Sequence, residues 1–111
     1  MLALIESTAA AGSIELIYTR RPNAYQSYAC EGDTMAIGLV KDPVAGIVAQ
    51  AACTVRSYWI NGEPHTAGYV SGVRRKAGYP GRIPWDEVAA LTQQIPCDLF
   101  YCSFLSDNAN A

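Results

Sequence analysis

The chain has little of what usually marks chemistry. It holds one histidine and four cysteines in 111 residues. Cys30, Cys53, Cys97 and Cys102 form no C-x-x-C pair, and His65 stands far from all of them. A zinc centre needs ligands at short, regular spacing, so the pattern argues against a metal site. Cys53 and Cys102 lie in apolar runs and read as small buried hydrophobes in a reducing compartment. A nucleophilic thiol would need a base beside it, and nothing in the spacing supplies one. Charge is also scarce. Charged residues make up 16% of the chain and the net charge is -2. With a pI near 5.2, bulk-charge binding to nucleic acid is not expected. No apolar run approaches the roughly 20 residues that span a bilayer. The opening "MLALIESTAAAG" carries Glu6 and no basic residue, so it makes a poor signal peptide. The expectation is a cytoplasmic chain, without membrane or nucleic-acid partners. Internal repeats and low-complexity linkers are also lacking.

What remains is a foldable domain. Half the residues are hydrophobic, enough for a core, and the length suits one domain over 1–111. "LALIESTAAA" has high helix propensity before Gly12. "SIELIYTRR" alternates as a strand does. "PNAYQSYACEG" predicts a helix from Pro22 to Gly32, with Tyr25 and Tyr28 sharing a face. "TMAIGLVKD" and "IVAQAACTVRSYWI" predict two strands joined through the turn "DPVAG". "NGEP" carries Asn61-Gly62, a strong hairpin signal, and leads into "HTAGYVSGVRR". The middle of the chain is thus a three-strand antiparallel meander.

The last third changes character. "PWDEVAALTQQI" predicts a helix with Val88, Leu91 and Ile95 on one stripe, and Asp86 and Glu87 suit its first turn. "CDLFYCSFL" is almost wholly apolar, as a strand covered on both faces would be. Strand, helix, strand with short links predicts a right-handed crossover and a parallel pair. The fold class expected is α+β: an antiparallel meander, then a β-α-β crossover, forming a mixed sheet with helices packed on it. The tyrosines and Trp59 read as core, with a pocket lining as the alternative.

"YWINGEPHTAGYVSGVRRKAGYPGRI", a helix, and "LFYCSFLSDNANA" together resemble the GNAT superfamily of acetyl-coenzyme A-dependent N-acetyltransferases. The resemblance covers residues 13–111 in order of elements and is sharpest over 58–74 and 99–109. It implies two parallel strands that splay apart, with the coenzyme's pantetheine arm in the gap. Val73 and Arg74 would offer backbone groups to that arm. Arg75 to Arg82, including Lys76, Gly78 and Gly81, would be the pyrophosphate loop. In such a loop N–H groups that open a helix face an anion. Asn108 would match the asparagine after the second splayed strand. The cofactor implied is acetyl-CoA, and the acceptor an amine on a small molecule or peptide.

The chain departs from the pattern in three places. Pro80 stands where the family's loop has a small residue, and proline has no N–H to give; Gly81 comes one step late. Gly72 stands where many relatives have an acid that serves as base. Glu63 and His65, at the hairpin end, read as turn polars. The family also has a helix and further strands after the D-N pair, and a strand before its first helix. The expectation is therefore an incomplete domain with impaired transfer. The alternative is a non-catalytic module on the same scaffold that binds coenzyme A or another anion, or only itself. An apolar edge strand predicts a homodimer joined through the sheet edge.

Overall fold

Two tight turns shape the middle of the chain. The computed structural model describes residues 1–8, 19–80 and 85–103. Strands β1 (Thr34–Asp42) and β2 (Gly46–Ile60) meet where Asp42 Oδ1 accepts from the N–H groups of Val44 and Ala45, both at 2.8 Å. Gly46 leaves that turn at φ 77°. Asn61 and Gly62 then take φ 51° and 81°, the left-handed pair that a two-residue hairpin requires. They turn β2 into β3 (Glu63–Arg75) with Ile60 opposite Glu63. Both hairpins fall where the sequence puts them.

The sheet has four strands in the order β1-β2-β3-β4. β1, β2 and β3 are antiparallel, and β4 (Leu99–Tyr101) lies parallel to β3. With few helices and a mixed open sheet, the class is α+β. The parallel pair needs a crossover, which contains helix α3 (Trp85–Thr92).

Helices cover both faces. Val88 and Leu91 of α3, with Ile95 just beyond it, pack on Ala51, Cys53, Val55 and Val70. This is the predicted stripe. On the other face α1 (Leu2–Ser7) and α2 (Ala24–Ala29) bring Ile5, Ala24 and Tyr28 onto Ala52, with Met35 and Ile37 alongside. β2 lies between these layers, and eight successive residues from Val48 to Val55 are buried.

Several expectations need correction. Of the first helix predicted over 2–11, Leu2–Ser7 is helical and Thr8 is extended; residues 9–11 lie outside the described residues. The strand predicted over 13–21 lies mostly outside the described residues. The second helix begins after Asn23, not at Pro22, because the Asn23 side chain accepts from the N–H groups of Tyr25 and Gln26. Tyr25 and Tyr28 do not share a burial state. Tyr28 is fully buried and Tyr25 is 62% exposed, because a six-residue helix presents one narrow stripe and Ala24, four before Tyr28, completes it. Trp59 is not core but 76% exposed, since β2 runs out past both helix layers to its hairpin tip. Cys102 is exposed, while Cys53 is buried as read. β4 pairs over three residues only, and each is about 40% exposed: Leu99 39%, Phe100 40%, Tyr101 42%. It is the last strand in the sheet order, so the both-face cover expected of it is not found among the described residues.

Three carboxylates act as anchors. Asp42 is held below its usual range by the Ala45 and Val44 N–H groups, and Asp98 by the Thr66 N–H and then His65. Glu6 is lowered by Thr19 and Arg21. A carboxylate with a depressed folded pKa stabilises fully above its unfolded value and loses that contribution as pH falls through the folded one. Stability should therefore fall as pH drops below about 4. Urea midpoints measured against pH should show a shallower acid limb for Asp98→Asn than for the unsubstituted chain.

Candidate functional site

β3 changes register in mid-strand. Gln50 pairs with Arg74 but Ala52 pairs with Ser71, so Gly72 and Val73 together oppose Ala51. This is a bulge. Gly72 has φ 60°, and a Cβ placed on it would stand 1.8 Å from Tyr28 Oη. Glycine is thus required twice: for the left-handed backbone and for the space taken by the tyrosine. The extra residue also resets the pleat. Val70 and Val73 both turn to the α3 side, where Val73 joins the apolar cluster.

The described parallel pair is short and ends before the bulge. Pairing of β3 with β4 runs from Ala67↔Leu99 to Tyr69↔Tyr101 and stops, while β3 continues to Arg75. Among the described residues β4 pairs with β3 no further than Tyr69. Phe100 lies against Gly68, whose absent side chain makes room; a Cβ there would be 2.6 Å from the ring. Tyrosines gather at the last pair. The Tyr69 and Tyr101 rings stack at 5.0 Å, and Tyr101 meets Tyr58 hydroxyl to hydroxyl at 3.0 Å. The Tyr69 hydroxyl reaches Ser103 at 2.9 Å. The bond to Tyr58, above all, pushes the Tyr101 phenol up to about 12.

The predicted loop follows directly. Lys76 N–H donates to Val48 O at 2.7 Å, and Tyr79 N–H to Lys76 O at 3.2 Å. Gly78 takes φ 74° at the turn. The basic side chains are also engaged: Arg75 Nη1 donates to Tyr79 O and Lys76 Nζ to Ala45 O. Arg74 Nη1 donates to the carbonyl of Val73 at 2.9 Å. The Tyr79 hydroxyl donates to Asp42 Oδ2, tying the loop to the first hairpin turn. Val73, Arg74, Arg75, Lys76 and Gly78 therefore form one continuous stretch leading off the bulge. Gly81, Arg82 and Asn108 lie outside the described residues.

His65 belongs elsewhere. Its Nδ1 meets Asp98 Oδ2 at 3.2 Å, its Nε2 lies 3.8 Å from Glu63, and Asp98 also takes the Thr66 N–H. This exposed group is four residues from Tyr69, about 13 Å along the strand at ~3.3 Å per residue. Among the described residues no three of His, Cys, Asp and Glu gather as a metal site would need. A cleft of about 100 Å³ lies between α3 and the β1–β2 pair, lined by Gly38, Val40, Ala51, Val88 and Leu91. Glu87 is the one ionisable residue in its lining, so it offers little chemistry.

Sequence reading missed Tyr28, Gln50 and Ser71 at the bulge, and Asp98 beside His65. The signal for the first three was a glycine inside a strand, which marks a bulge or a close approach. No family model matches the chain, and comparison with curated proteins and with solved structures gave no match.

Gly72→Ala should be strongly destabilising. The left-handed backbone costs about 1–2 kcal/mol, and displacing Tyr28 adds about 1–3 kcal/mol as overpacking does. A urea titration should show the midpoint fall well below that of Gly46→Ala, where the glycine also has positive φ but no atom lies within 4 Å.

Proposed function

We propose that the chain is a GNAT-type N-acyltransferase domain that takes acetyl-coenzyme A and an amine acceptor. The observation that supports this most is the parallel β3–β4 pair around α3, whose pairing among the described residues ends at Tyr69 and Tyr101 while β3 runs on through a glycine bulge to Arg75. A strand edge of this kind offers N–H and C=O groups to an extended ligand, which adds as a strand would. The amide-bearing pantetheine arm has that form.

In this reading the β3-α3-β4 connection is a right-handed crossover. Val73 and Arg74 face the arm, Arg75 to Arg82 meet the pyrophosphate, and Asn108 helps hold the arm from the second strand. The neutral amine attacks the thioester carbon. A C–N bond forms, the C–S bond breaks, and the thiolate takes up the proton that the amine loses. A backbone N–H of β3 beside the bulge stabilises the thioester oxygen. Four free cysteines, and no described helix long and apolar enough to cross a membrane, favour a cytoplasmic address.

A second reading has its own support. The Lys76 and Tyr79 N–H groups and the Arg75 and Lys76 side chains are already spent on protein carbonyls. A loop so engaged suits a non-catalytic module on the same scaffold, one that pairs with a second copy through the exposed β4 residues.

Calorimetric titration with acetyl-coenzyme A, with a size measurement on the same sample, separates the two. The first reading expects saturable binding that Arg75→Ala weakens about tenfold, the worth of one lost charge-assisted bond. A folded dimer that binds no coenzyme favours the second. A clean monomer at high concentration argues against pairing through β4.

A further inference from the structure

Three polar side chains at the bulge are buried without a hydrogen-bond partner: Tyr28 Oη, Gln50 Oε1 and Ser71 Oγ. Their residues are 0%, 4% and 9% exposed. The three share one face of the sheet. Ser71 is paired with Ala52, on which Tyr28 packs, and Gln50 is two residues along β2. The Tyr28 oxygen occupies the place where a Gly72 side chain would begin. Gln50 Nε2 reaches Gly72 O at 3.4 Å, which leaves the amide oxygen unused. The amide lies beside the Tyr28 hydroxyl and favours its ionised form slightly, but the geometry falls short of a hydrogen bond.

Buried hydroxyl and amide groups are almost always satisfied, so this cluster calls for an occupant. Its chemistry selects the kind. Two hydroxyls can each donate or accept, and an amide oxygen accepts. Burial, the largest influence on the Tyr28 phenol, keeps it protonated. Two cations act on the phenol: Arg20, whose guanidinium lies 3.9 Å over the Tyr28 ring and is paired with Glu31, and more weakly Arg74, which donates to the Val73 carbonyl. The three unpartnered groups are themselves uncharged, which suits a small neutral occupant. We infer that the β3 bulge holds an internal water molecule, bonded by Tyr28, Ser71 and Gln50 between α2 and the β2–β3 pair. Two to four polar partners are what such a water needs. The site stands on these contacts alone and not on the acyltransferase reading.

Water-oxygen relaxation dispersion counts waters that stay for as long as the protein takes to tumble. Measured on the whole chain, it should show such a water, and Ser71→Ala or Tyr28→Phe should lower the count by about one. Should Tyr28→Phe fail to fold, Ser71→Ala decides. A fall in count in either folded variant supports the site. No long-lived water in the unsubstituted chain, or an unchanged count in every folded variant, overturns it.

Discussion

The seating of the Tyr28 hydroxyl on Gly72 governs most of the arrangement on one side of the sheet. It needs a residue without a side chain, in a left-handed conformation, in the middle of a strand. That conformation is what lets β3 carry one more residue than β2 across from Ala51. The bulge then returns Val73 to the α3 core and turns Arg74 toward α2. Without it, the residues after Ser71 would alternate in the opposite phase, and the basic stretch from Arg74 to Lys76 would leave the sheet on the wrong side. The helix layer and the loop are tied to one glycine.

Much of the fold was legible because its signals are local. Asn61-Gly62 and Asp42-Pro43 carry turn chemistry in adjacent residues, so both hairpins and their strands could be placed within two residues of their ends. The Val88, Leu91, Ile95 stripe is likewise local and packs as read. Errors arose where tertiary position decides. Trp59 and Tyr58 have the same strand-like surroundings as Val55, yet the helices do not reach as far as Trp59. The run "CDLFYCSFL" looks like a covered strand, but among its described residues only Leu99–Tyr101 pairs, at the end of the sheet order. Apolar composition tells of a strand and says little about what lies beyond it.

The candidate site was legible as a path and not as a set of contacts. "SGVRRKAG" marks the place where β3 leaves the sheet. It does not tell that Arg75 and Lys76 fold back onto Tyr79 and Ala45, nor that a tyrosine from 44 residues earlier fills the bulge. Asp98 could not be tied to His65 from spacing, because their meeting depends on the parallel pairing of β3 with β4. Contacts between distant segments carry the chemistry here, and one sequence does not display them.

The parallel pair also bears on the order in which the chain acquires its structure. The two hairpins close loops of a few residues, so their pairing involves little loss of chain entropy and forms quickly. β4 must find Ala67 to Tyr69 across more than thirty residues, through an intervening helix, and three rungs are all it gains among the described residues. The Asp98–Thr66 bonds and the Phe100 ring over Gly68 hold this late arrival. The meander and α3 can therefore consolidate before the fourth strand docks, and among the described residues β4 has the fewest pairs to break in local opening. The strand that carries the stacked Tyr101 is thus, among the described residues, the one least committed to the sheet.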